Sequence, residues 1–493
     1  MSRISTGIFR HDGQNLLYLT LISVILFVAP LFFLDMPGGD ETRVAGIAAE
    51  MLLDGDWITP RLNGTVFLEY PPLCYAAEAV CFRLFGFTPF AAKLPLALSA
   101  LAGVLMFYGT MRTMRRSGAE SFAGAFMLAT GAQYLFNACD CRVDMMLTAF
   151  CILSWFGFAV MEFSGSSAAR RLTGMLMLAA GIAGGVLTKN LPGIAIPLSG
   201  IGCAVLFGDL MDRRFSLAVY ARLAGAVLLG LLPYVLYLAL LCRINGPSAV
   251  ETILISNNTG RFSGTGSHAD HGAPFWYYLR RLPGLFQPYL IFLFAGLFLR
   301  GRALFRHRSS RDILPLSLLL IPFLLLSVSS GKRQVYLLPL SAPAALIAAS
   351  SLPYLTWLCR RLFHWRPGLR TRQCLRILPL CVAILTALFG TIANAHLSRK
   401  DSFAPVFAEA ERLRLAIPGS RLVLIQPEER LAGAAFFYCR KVAPVLKDFS
   451  ELQPDDVAIM PLDSKKSLPE LPPGRAVKRF SRAELIVVSP SPQ

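Results

Sequence analysis

Two carboxylates and an arginine stand together in an otherwise apolar chain. They lie in Gly39-Asp40-Glu41-Thr42-Arg43, which follows the first long apolar run, and a second polar stretch ends in Glu69-Tyr70-Pro71-Pro72. Ionised groups at the edge of a bilayer lose hydration, so in membrane proteins they usually mark a functional site. A carboxylate there can accept a proton from a hydroxyl group, and an arginine can bind a phosphate through two parallel hydrogen bonds.

The composition predicts that a membrane surrounds these residues. Of the 493 residues 55% are hydrophobic, and the mean hydropathy is +0.54. Soluble proteins contain roughly 45–50% apolar residues. The excess is concentrated in runs of roughly 17–25 residues, the length that a helix needs to cross the hydrocarbon layer. The chain is therefore expected to be a polytopic α-helical membrane protein.

The net charge of +18 does not indicate nucleic-acid binding. The basic residues form short clusters beside apolar runs, as cytoplasmic loops do under the positive-inside rule. Two such clusters are Arg300, Arg302, Arg306, Arg308 and Arg311, and Arg360, Arg361, Arg366, Arg370 and Arg372. No basic stretch carries a nucleic-acid-binding motif. The 11 cysteines include no CxxC pair, which argues against a structural zinc site.

The basic clusters also set the expected topology. Arg3 and Arg10 place the N-terminus in the cytoplasm, and the first run has no cleavage signal, so it predicts a retained span. Apolar runs at the length of a span predict about 11–13 transmembrane helices. The runs lie at about 14–34, 90–111, 119–137, 142–163, 172–188, 191–208, 217–242, 284–300, 312–329, 334–353 and 374–394. An odd number of spans places the C-terminus outside.

The first loop, 35–89, is predicted to be periplasmic and to carry two surface helices. Residues 45–53 are amphipathic, with Glu50 and Asp54 on the polar side, which favours a helix lying on the membrane surface. Residues 72–86 are apolar but number only about 15, too few to span a bilayer. Together with the spans, this loop completes a predicted transmembrane domain over residues 1–396.

Residues 397–493 have a different pattern and predict a small periplasmic α/β domain. Short β-branched runs at Leu422–Ile425, 457–460 and 485–488 predict buried strands. A helix is expected over 403–415, before the first strand. The region has no glycine-rich nucleotide-binding loop.

Under this topology, loops that are far apart in sequence bring ionisable residues to one face of the membrane. These residues are Asp40, Glu41, Arg43, Glu69, Asp144, Lys189, Arg261, His271, Lys332 and Arg333. Acids, bases and a histidine on one face indicate a catalytic site. The chemistry suits transfer from a phosphate-bearing lipid, because lysine and arginine can hold the phosphate leaving group. Glu69 and a neutral His271 can together hold a divalent cation, and no nucleotide cofactor is expected.

Each of these residues also has a structural interpretation. Asp40 can cap the helix that follows it, and Asp144 can pair with Arg142 or cap a span. Lys189 can extend from a span end towards water. The remaining alternatives are a solvated loop acid at Glu69, a structural histidine at His271 beside Phe275-Trp276-Tyr277-Tyr278, and interface anchors at Lys332 and Tyr336.

The motifs resemble the ArnT-like branch of the GT-C glycosyltransferases. The specific part of the match is Asp40-Glu41-Thr42-Arg43, then Gly55-Asp56-Trp57-Ile58-Thr59-Pro60-Arg61-Leu62-Asn63-Gly64, then Glu69-Tyr70-Pro71-Pro72-Leu73. Weaker matches follow in order at Arg142-Val143-Asp144-Met145, Leu187-Thr188-Lys189, Arg261-Phe262, His271 and 332–339. The resemblance covers roughly residues 10–400 and implies a GT-C fold with its active site on the periplasmic face.

The resemblance also implies roles for individual residues. Asp40 matches the catalytic aspartate and Asp144 the second acidic position, while Arg43, Lys189, Lys332 and Tyr336 belong to the donor-phosphate site. Glu69 and His271 match positions that can hold a metal, and Glu41, Tyr70 and Arg261 lie in the site loops. This chain departs from the aminoarabinose transferases at two positions: Tyr70 replaces a lysine and Val44 replaces a tyrosine.

The expected function is inverting transfer of a sugar from a polyprenyl (undecaprenyl) phosphate to lipid A or another envelope glycan. The enzyme would lie in the bacterial inner membrane, with the site and the C-terminal domain in the periplasm. A protein O-mannosyltransferase-like activity is the alternative within the enzyme class. A lipid transporter or flippase is the alternative outside it, and it would predict charges at the midplane of broken helices.

Overall fold

Long apolar helices make up most of the chain. The computed structural model describes residues 12–257, 273–307, 310–363, 369–417, 419–461, 475–480 and 483–488. Within these ranges, eight helices are long and apolar enough to cross a membrane. They are Asp12–Phe32, Pro89–Thr113, Val143–Phe163, Ala168–Lys189, Pro192–Asp212, Leu217–Asn245, Gln334–Leu358 and Ile377–Lys400. The chain is a multi-span helical membrane protein, as the composition predicts.

The helices are numbered in chain order. The described helices are α1 (Asp12–Phe32), α2 (Asp40–Asp54), α3 (Leu73–Phe85), α4 (Pro89–Thr113), α5 (Gly118–Thr130), α6 (Ala132–Ala138), α7 (Val143–Phe163), α8 (Ala168–Lys189), α9 (Pro192–Asp212), α10 (Leu217–Asn245), α11 (Pro247–Glu251), α12 (Tyr277–Leu285), α13 (Leu290–His307), α14 (Ser310–Val328), α15 (Ser341–Ala349), α16 (Leu352–Phe363), α17 (Leu369–Lys400), α18 (Ala404–Ala416) and α19 (Glu429–Cys439). A 3₁₀ helix over Gln334–Leu340 leads into α15.

Eight of the predicted spans coincide with the eight long apolar helices. The other three fall on shorter elements, which are α5 with α6, α13, and α14. The run at 119–137 is divided because Gly131 has an extended backbone, with φ −64° and ψ 132°. The predicted number of spans therefore depends on whether these shorter helices cross the membrane.

Close packing of α7 against α8 places two site residues beside each other. A Cβ atom on Gly157 would lie 2.4 Å from the backbone nitrogen of Leu178, and one on Gly174 would lie 2.3 Å from that of Met161. Small residues let helix backbones approach closely inside a membrane. Because the two helices are antiparallel, the start of α7 and the end of α8 meet at the same end of the bundle.

The first loop folds into α2, a short hairpin and α3. The hairpin pairs β1 (Arg61–Leu62) with β2 (Thr65–Val66), and its turn residue Gly64 has φ +86°. The backbone N–H of Gly64 donates to the Glu50 carboxylate at 2.7 Å. Glu50, which was predicted on the polar side of this helix, is therefore buried, and its side chain holds the hairpin turn. Helix α3 has 13 residues, in keeping with a helix too short to span.

The C-terminal region contains a five-stranded mixed sheet. The remaining strands are β3 (Leu422–Ile425), β4 (Val445–Leu446), β5 (Val457–Pro461), β6 (Arg475–Arg479) and β7 (Ala483–Val488). The strand order is β4-β3-β5-β7-β6. Strand β3 is parallel to β4 and β5, whereas β7 is antiparallel to β5 and β6. The three predicted strands coincide with β3, β5 and β7, and the predicted helix coincides with α18.

Candidate active site

Segments from across the chain meet in a pocket at one end of the helical bundle. The pocket encloses about 320 Å³, including its open mouth. It is formed by the start of α2, the loop before α3, the start of α7, the end of α8 and the segment that contains the 3₁₀ helix. Its lining residues are Asp40, Arg43, Val44, Tyr70, Arg142, Val143, Asp144, Lys189, Arg333, Val335 and Tyr336.

Asp40 is the first residue of α2, where the helix dipole favours a negative charge. Its Oδ2 atom lies 3.3 Å from Nη1 of Arg333, and its Oδ1 atom lies 3.7 Å from Nε of Arg430. Burial raises the pKa of Asp40, but the charges of Arg43, Arg333, Arg142 and Arg430 outweigh burial, so the net pKa is below its ordinary value. At neutral pH Asp40 is therefore an ionised proton acceptor.

Arg43 lies one helical turn after Asp40 and binds two carboxylates. Its Nη1 atom is 2.8 Å from Oε2 of Glu69 and 2.6 Å from Oε2 of Glu429. The guanidinium also stacks over the ring of Phe67, at 5.7 Å from the centroid. Burial lowers the pKa of Arg43, and the nearby Glu69 more than compensates, so the net pKa is raised. Arg43 stays charged beside the pocket.

Asp144 and Lys189 form a buried ion pair between the start of α7 and the end of α8. The ammonium group of Lys189 also faces the ring of Tyr70 at 5.4 Å and the ring of Tyr336 at 4.7 Å. The alternative in which Asp144 pairs with Arg142 is not what the structure contains. The Nε atom of Arg142 instead lies 3.9 Å from Oδ2 of Asp140.

Glu41 points away from the pocket, although it is adjacent to Asp40 in sequence. Its carboxylate lies 2.6 Å from Nζ of Lys93 on α4, and both side chains are buried. Successive side chains on an α-helix point about 100° apart, and this rotation turns Glu41 away from the pocket and towards α4. Glu41 therefore fixes α2 on the transmembrane helices and does not line the pocket.

Lys332 is also outside the pocket lining. Its ammonium group donates to the backbone oxygens of Ala273, at 2.9 Å, and Ser329. The next residue, Arg333, faces the pocket and contacts Asp40. The cation that this segment supplies to the pocket is thus Arg333.

Comparison with curated proteins gives a consistent set of relatives. The undecaprenyl phosphate-alpha-4-amino-4-deoxy-L-arabinose arabinosyl transferase of Serratia proteamaculans is 29% identical over 347 residues, which are 69% of this chain and 59% of the relative. The corresponding protein 1 of Pseudomonas fluorescens is 30% identical over 318 residues, which are 64% of this chain and 55% of the relative. The chain thus spans less than two thirds of the length of these relatives. No family model matches the chain.

Solved structures match over a greater length. ArnT from Cupriavidus metallidurans bound to undecaprenyl phosphate aligns with a TM-score of 0.73 at 19% identity, covering 98% of this chain and 100% of ArnT. The oligosaccharyltransferase of Archaeoglobus fulgidus aligns with a TM-score of 0.62 at 12% identity, covering 88% of this chain and 64% of that protein. The chain has an ArnT-like fold.

Several residues assigned from the sequence meet in the pocket of this ArnT-like chain. They are Asp40, Arg43, Tyr70, Asp144, Lys189 and Tyr336. Glu69 contacts Arg43 from behind the lining. Glu41 and Lys332 lie outside the lining, and Arg261 and His271 lie outside the described residues. Within the described part of the chain, no group of three His, Cys, Asp or Glu residues has a geometry that would hold a metal ion.

Four charged residues that touch the site were not assigned to it from the sequence. Arg142 is part of the motif that contains Asp144, and Arg333 belongs to the set of charges predicted on one face, so sequence features pointed to both residues. No sequence feature pointed to Glu429 and Arg430, because they lie at the start of α19 in the C-terminal region, nearly 390 residues after Asp40 and Arg43.

Proposed function

We propose that this ArnT-like chain is an inverting glycosyltransferase that takes its sugar from a polyprenyl phosphate. The observation that carries the proposal is the pocket itself. The ionised carboxylate of Asp40 lies among cationic side chains on a membrane protein whose fold matches ArnT. Three of those cations, Arg43, Arg142 and Arg333, come from separate segments, so a bound phosphate would connect all of them.

The transfer step uses Asp40 as the base. The carboxylate accepts the proton of the acceptor's hydroxyl group as that oxygen attacks the anomeric carbon of the sugar. The bond between the anomeric carbon and the phosphate oxygen breaks, and the polyprenyl phosphate leaves with the bonding electron pair. Attack from the side opposite the leaving group inverts the configuration.

The cations of the pocket stabilise the leaving group. A phosphodiester that loses its sugar gains a second negative charge, and arginine side chains stabilise such developing charge most strongly in a site that excludes water. When a phosphate binds to Arg43 and Arg333, it also offsets their effect on Asp40. The pKa of Asp40 then rises towards its ordinary value, which makes the carboxylate a stronger base when substrate is present. Asp144 orients Lys189 towards the same phosphate.

The relatives suggest the donor. Their names specify undecaprenyl phosphate carrying 4-amino-4-deoxy-L-arabinose, and the ArnT structure contains undecaprenyl phosphate. We assign undecaprenyl phosphate as the lipid carrier and lipid A or another envelope glycan as the acceptor. Tyr70 stands where the aminoarabinose transferases carry a lysine, so we leave the identity of the sugar to experiment.

The same proposal sets the location of the enzyme. We place it in the inner membrane, with the N-terminus in the cytoplasm and the pocket and C-terminal region in the periplasm. The support is the distribution of arginines, because Arg112 in the last turn of α4 and Arg115 and Arg116 just after it lie at the end of the bundle away from the pocket.

A divalent cation remains part of the proposal through Glu69 and His271. Glu69 supplies a carboxylate oxygen of the kind that hard cations prefer, and it already lies 2.8 Å from Arg43. A bound cation would share that carboxylate with Arg43 and add positive charge beside the donor phosphate. Treatment with EDTA followed by return of Mg²⁺, Mn²⁺ or Zn²⁺ would test the requirement, and full activity after chelation would remove the metal from the proposal.

The test of the function is mass spectrometry of lipid A and other envelope glycolipids from a deletion strain. The strain is complemented with wild type, with Asp40→Asn, or with Asp54→Asn as a control from the exposed end of the same helix. Wild type and Asp54→Asn should restore a sugar-sized mass, and Asp40→Asn should reduce the transfer rate by about 10²- to 10⁴-fold because it removes the base.

Two results would contradict the proposal in different ways. Restoration by Asp40→Asn at the wild-type rate would remove Asp40 as the base. Identical glycolipid profiles in the deletion strain and in the strain complemented with wild type would reject lipid acceptors. In that case secreted glycoproteins would be searched for a lost sugar, since a protein O-mannosyltransferase-like activity is the alternative.

A further inference from the structure

The C-terminal region packs on α2 through a contact that only glycine allows. Helices α2 and α19 cross so closely that a Cβ atom on Gly46 would lie 2.4 Å from the backbone oxygen of Gly433. A Cβ atom on Gly433 would lie 2.5 Å from the Cα atom of Arg43. Both distances are shorter than real Cβ contacts, so any larger residue would push the helices apart. The interface therefore fixes α19 against Arg43, which lines the pocket.

A second contact fixes the hairpin of the first loop on the same region. The buried side chain of Asn63 donates through Nδ2 to the backbone oxygen of Ala443 at 2.8 Å, and its Oδ1 accepts from the backbone N–H of Ala443 at 2.8 Å. The guanidinium of Arg440 lies over the ring of Phe87 at 5.0 Å. The first loop and the C-terminal region thus form one packed unit.

This packing brings two charged residues from the first turn of α19 to the catalytic charges. Glu429 reaches Arg43 at 2.6 Å, and Arg430 reaches Asp40 at 3.7 Å. The backbone oxygen of Arg430 accepts a hydrogen bond from the Thr42 hydroxyl at 3.0 Å, which fixes the start of its side chain. Glu429 of α19 therefore pairs with Arg43 of α2, and Arg430 of α19 pairs with Asp40 of α2.

We propose that the C-terminal region completes the active site, with Arg430 as a positioning residue for the Asp40 carboxylate and Glu429 as a second partner that holds Arg43. This assignment rests on the proposed function. In the folded site each oxygen of Asp40 faces its own guanidinium, Oδ2 towards Arg333 and Oδ1 towards Arg430. Without Arg430 the carboxylate is held at one oxygen and can rotate away from the acceptor.

The side chain of Arg430 is 40% exposed and that of Glu429 is 55% exposed, so both lie at the mouth of the site. Neither is required to fill the core of the C-terminal region. Substitutions at these two positions can therefore test catalysis with little effect on folding.

The experiment compares purified full-length variants in nanodiscs. A lipid extract of the deletion strain supplies the donor, lipid A from that strain supplies the acceptor, and mass spectrometry measures the product. The variants are Arg430→Ala, Arg430→Lys, Arg430→Gln and Glu429→Gln. The matched control is Arg412→Ala, which removes an exposed arginine from the same region, where it pairs with Glu409.

Arg430→Ala should lower kcat by about 10- to 100-fold, because misplacing a catalytic group by about 1 Å has effects of that size. The KM for the donor should change less than threefold, and Arg430→Lys should restore part of kcat.

The pH dependence of kcat is a second measurement, which would not change if Arg430 had only a structural role. The charged groups that act on Asp40 are Arg43 on its own helix, Arg142 before α7, Arg333 before the 3₁₀ helix and Arg430 on α19.

The direction of the pH effect follows from charge. Asp40 acts as a base only when it is ionised, so activity falls as pH drops through its pKa. Removing the Arg430 charge raises that pKa, so the acid limb of the kcat profile should move to higher pH in Arg430→Ala and less in Arg430→Lys. A kcat and an acid limb equal to those of Arg412→Ala would overturn the assignment.

The failure of this inference is distinguishable from the failure of the proposed function. If wild type transfers sugar and Arg430→Ala transfers it equally well, only the role of Arg430 is rejected. If wild type transfers nothing, the proposed function is rejected and the assignment of Arg430 is rejected with it. If Arg430→Ala does not elute as a folded species, kcat and the acid limb of Arg430→Gln and Arg430→Lys are compared with those of Arg412→Ala instead.

Discussion

Lys189 lies between two aromatic rings and one carboxylate, an arrangement that limits where its charge can act. Asp144 holds the ammonium group, while Tyr70 and Tyr336 present their ring faces to it. A cation over an aromatic face gains roughly 0.5–2 kcal/mol, depending on desolvation. The rings thus keep Lys189 at the pocket without neutralising it, so that its charge can still act on a phosphate.

This arrangement predicts a difference between two substitutions of Tyr336. Tyr336→Phe keeps the ring face over Lys189, whereas Tyr336→Leu keeps an apolar side chain and removes the face. We expect Tyr336→Phe to bind undecaprenyl phosphate within about twofold of wild type. Tyr336→Leu should bind it about 2- to 30-fold more weakly, the factor that corresponds to the cation–π free energy. Titration of the purified variants with undecaprenyl phosphate measures both, and equal affinities would show that the ring face contributes nothing to binding.

Glu78 is a buried carboxyl group whose ionisation should affect stability. It is inaccessible to solvent and accepts hydrogen bonds from Sγ of Cys74 at 3.6 Å and Sγ of Cys141 at 3.3 Å. Burial raises the pKa of Glu78 to about 8, although the two thiol hydrogen bonds lower it. The folded protein therefore keeps a proton on Glu78 at neutral pH.

The sign of the resulting pH dependence follows from linkage. Between the ordinary pKa of 4.5 and about 8, the folded state holds a proton that the unfolded state lacks. The contribution of Glu78 to stability thus falls as pH rises through this window and is constant above it. Glu78→Gln mimics the protonated form and removes the dependence. The free energy of unfolding of Glu78→Gln, relative to that of wild type, should therefore increase by on the order of a few kcal/mol from pH 5 to pH 8.

Thermal unfolding in detergent at several pH values tests this, with the exposed Asp54→Asn as the control. Wild type and Asp54→Asn should show parallel curves of Tm against pH. A Glu78→Gln curve parallel to both would contradict a protonated Glu78 in the folded state.

The individual site residues show what the sequence can and cannot specify. Asp40 and Asp144 were predictable because the span pattern places both on one face, and their residue types suit the chemistry. The choice between Lys332 and Arg333 was not predictable. The segment before the 3₁₀ helix is irregular, so no periodicity indicates which of two adjacent cations faces the pocket.

At the scale of helices, glycine contacts determine how accurately site residues are placed. Gly157 of α7 lies against the backbone of α8, at the contact that aligns Asp144 with Lys189. Gly202 of α9 is a useful comparison, because a Cβ atom there would meet nothing within 4 Å. The two positions are both interior to long apolar helices, so they differ mainly in the space available.

Gly157→Ala should therefore destabilise the protein by about 1–3 kcal/mol, the usual effect of overpacking. It should also reduce transfer, because α8 must move and carries Lys189 with it. Gly202→Ala should be neutral or should stabilise by up to about 1 kcal/mol, since alanine favours helix more than glycine does. Thermal unfolding and the transfer assay on both variants measure these effects. A Gly157→Ala protein as stable and active as Gly202→Ala would show that α7 and α8 can separate without consequence.

The helices and strands were predictable where a periodic or uninterrupted pattern was long enough. The strands β3, β5 and β7 appear in the sequence as short β-branched runs, and the eight long helices appear as apolar runs. Helix α19 was not predicted, and neither was its position on α2. The crossing depends on two glycines, Gly46 and Gly433, that are 387 positions apart, and nothing local in either segment identifies the other as its partner.

For the whole molecule, the contact between the C-terminal region and the first loop constrains the number of membrane crossings. The first loop follows one span, and the C-terminal region follows the last. Because α19 packs on α2, both must lie on the same side, so the total number of spans must be odd. The eight long helices of the described residues are an even number, so an odd number of the shorter helical segments must cross as well.

Ion pairs at the two ends of α1 and α4 identify which way the shorter segments run. Arg112, near the end of α4, pairs with Asp12 at the start of α1. Lys93, near the start of α4, pairs with Glu41 beyond the end of α1. The chain therefore leaves α4 at the end opposite the pocket and returns to the pocket at Asp144, which requires α5 and α6 to cross together. Crossing by both α13 and α14 would keep the total odd and would give the eleven spans that the sequence predicts.

Cysteine labelling in cells with a permeabilised outer membrane tests this topology. Asp54→Cys samples the first loop, Lys447→Cys the C-terminal region, and Arg214→Cys the loop after α9; all three positions are exposed. A membrane-impermeant maleimide should label Asp54→Cys and Lys447→Cys above the wild-type background, and Arg214→Cys only after the inner membrane is disrupted. Labelling of Asp54→Cys and Lys447→Cys from opposite sides would contradict the packing of α19 on α2, because one packed unit cannot lie on both sides of a bilayer. Labelling of Arg214→Cys alone in intact cells would preserve that packing but invert the proposed orientation, and the pocket would then face the cytoplasm.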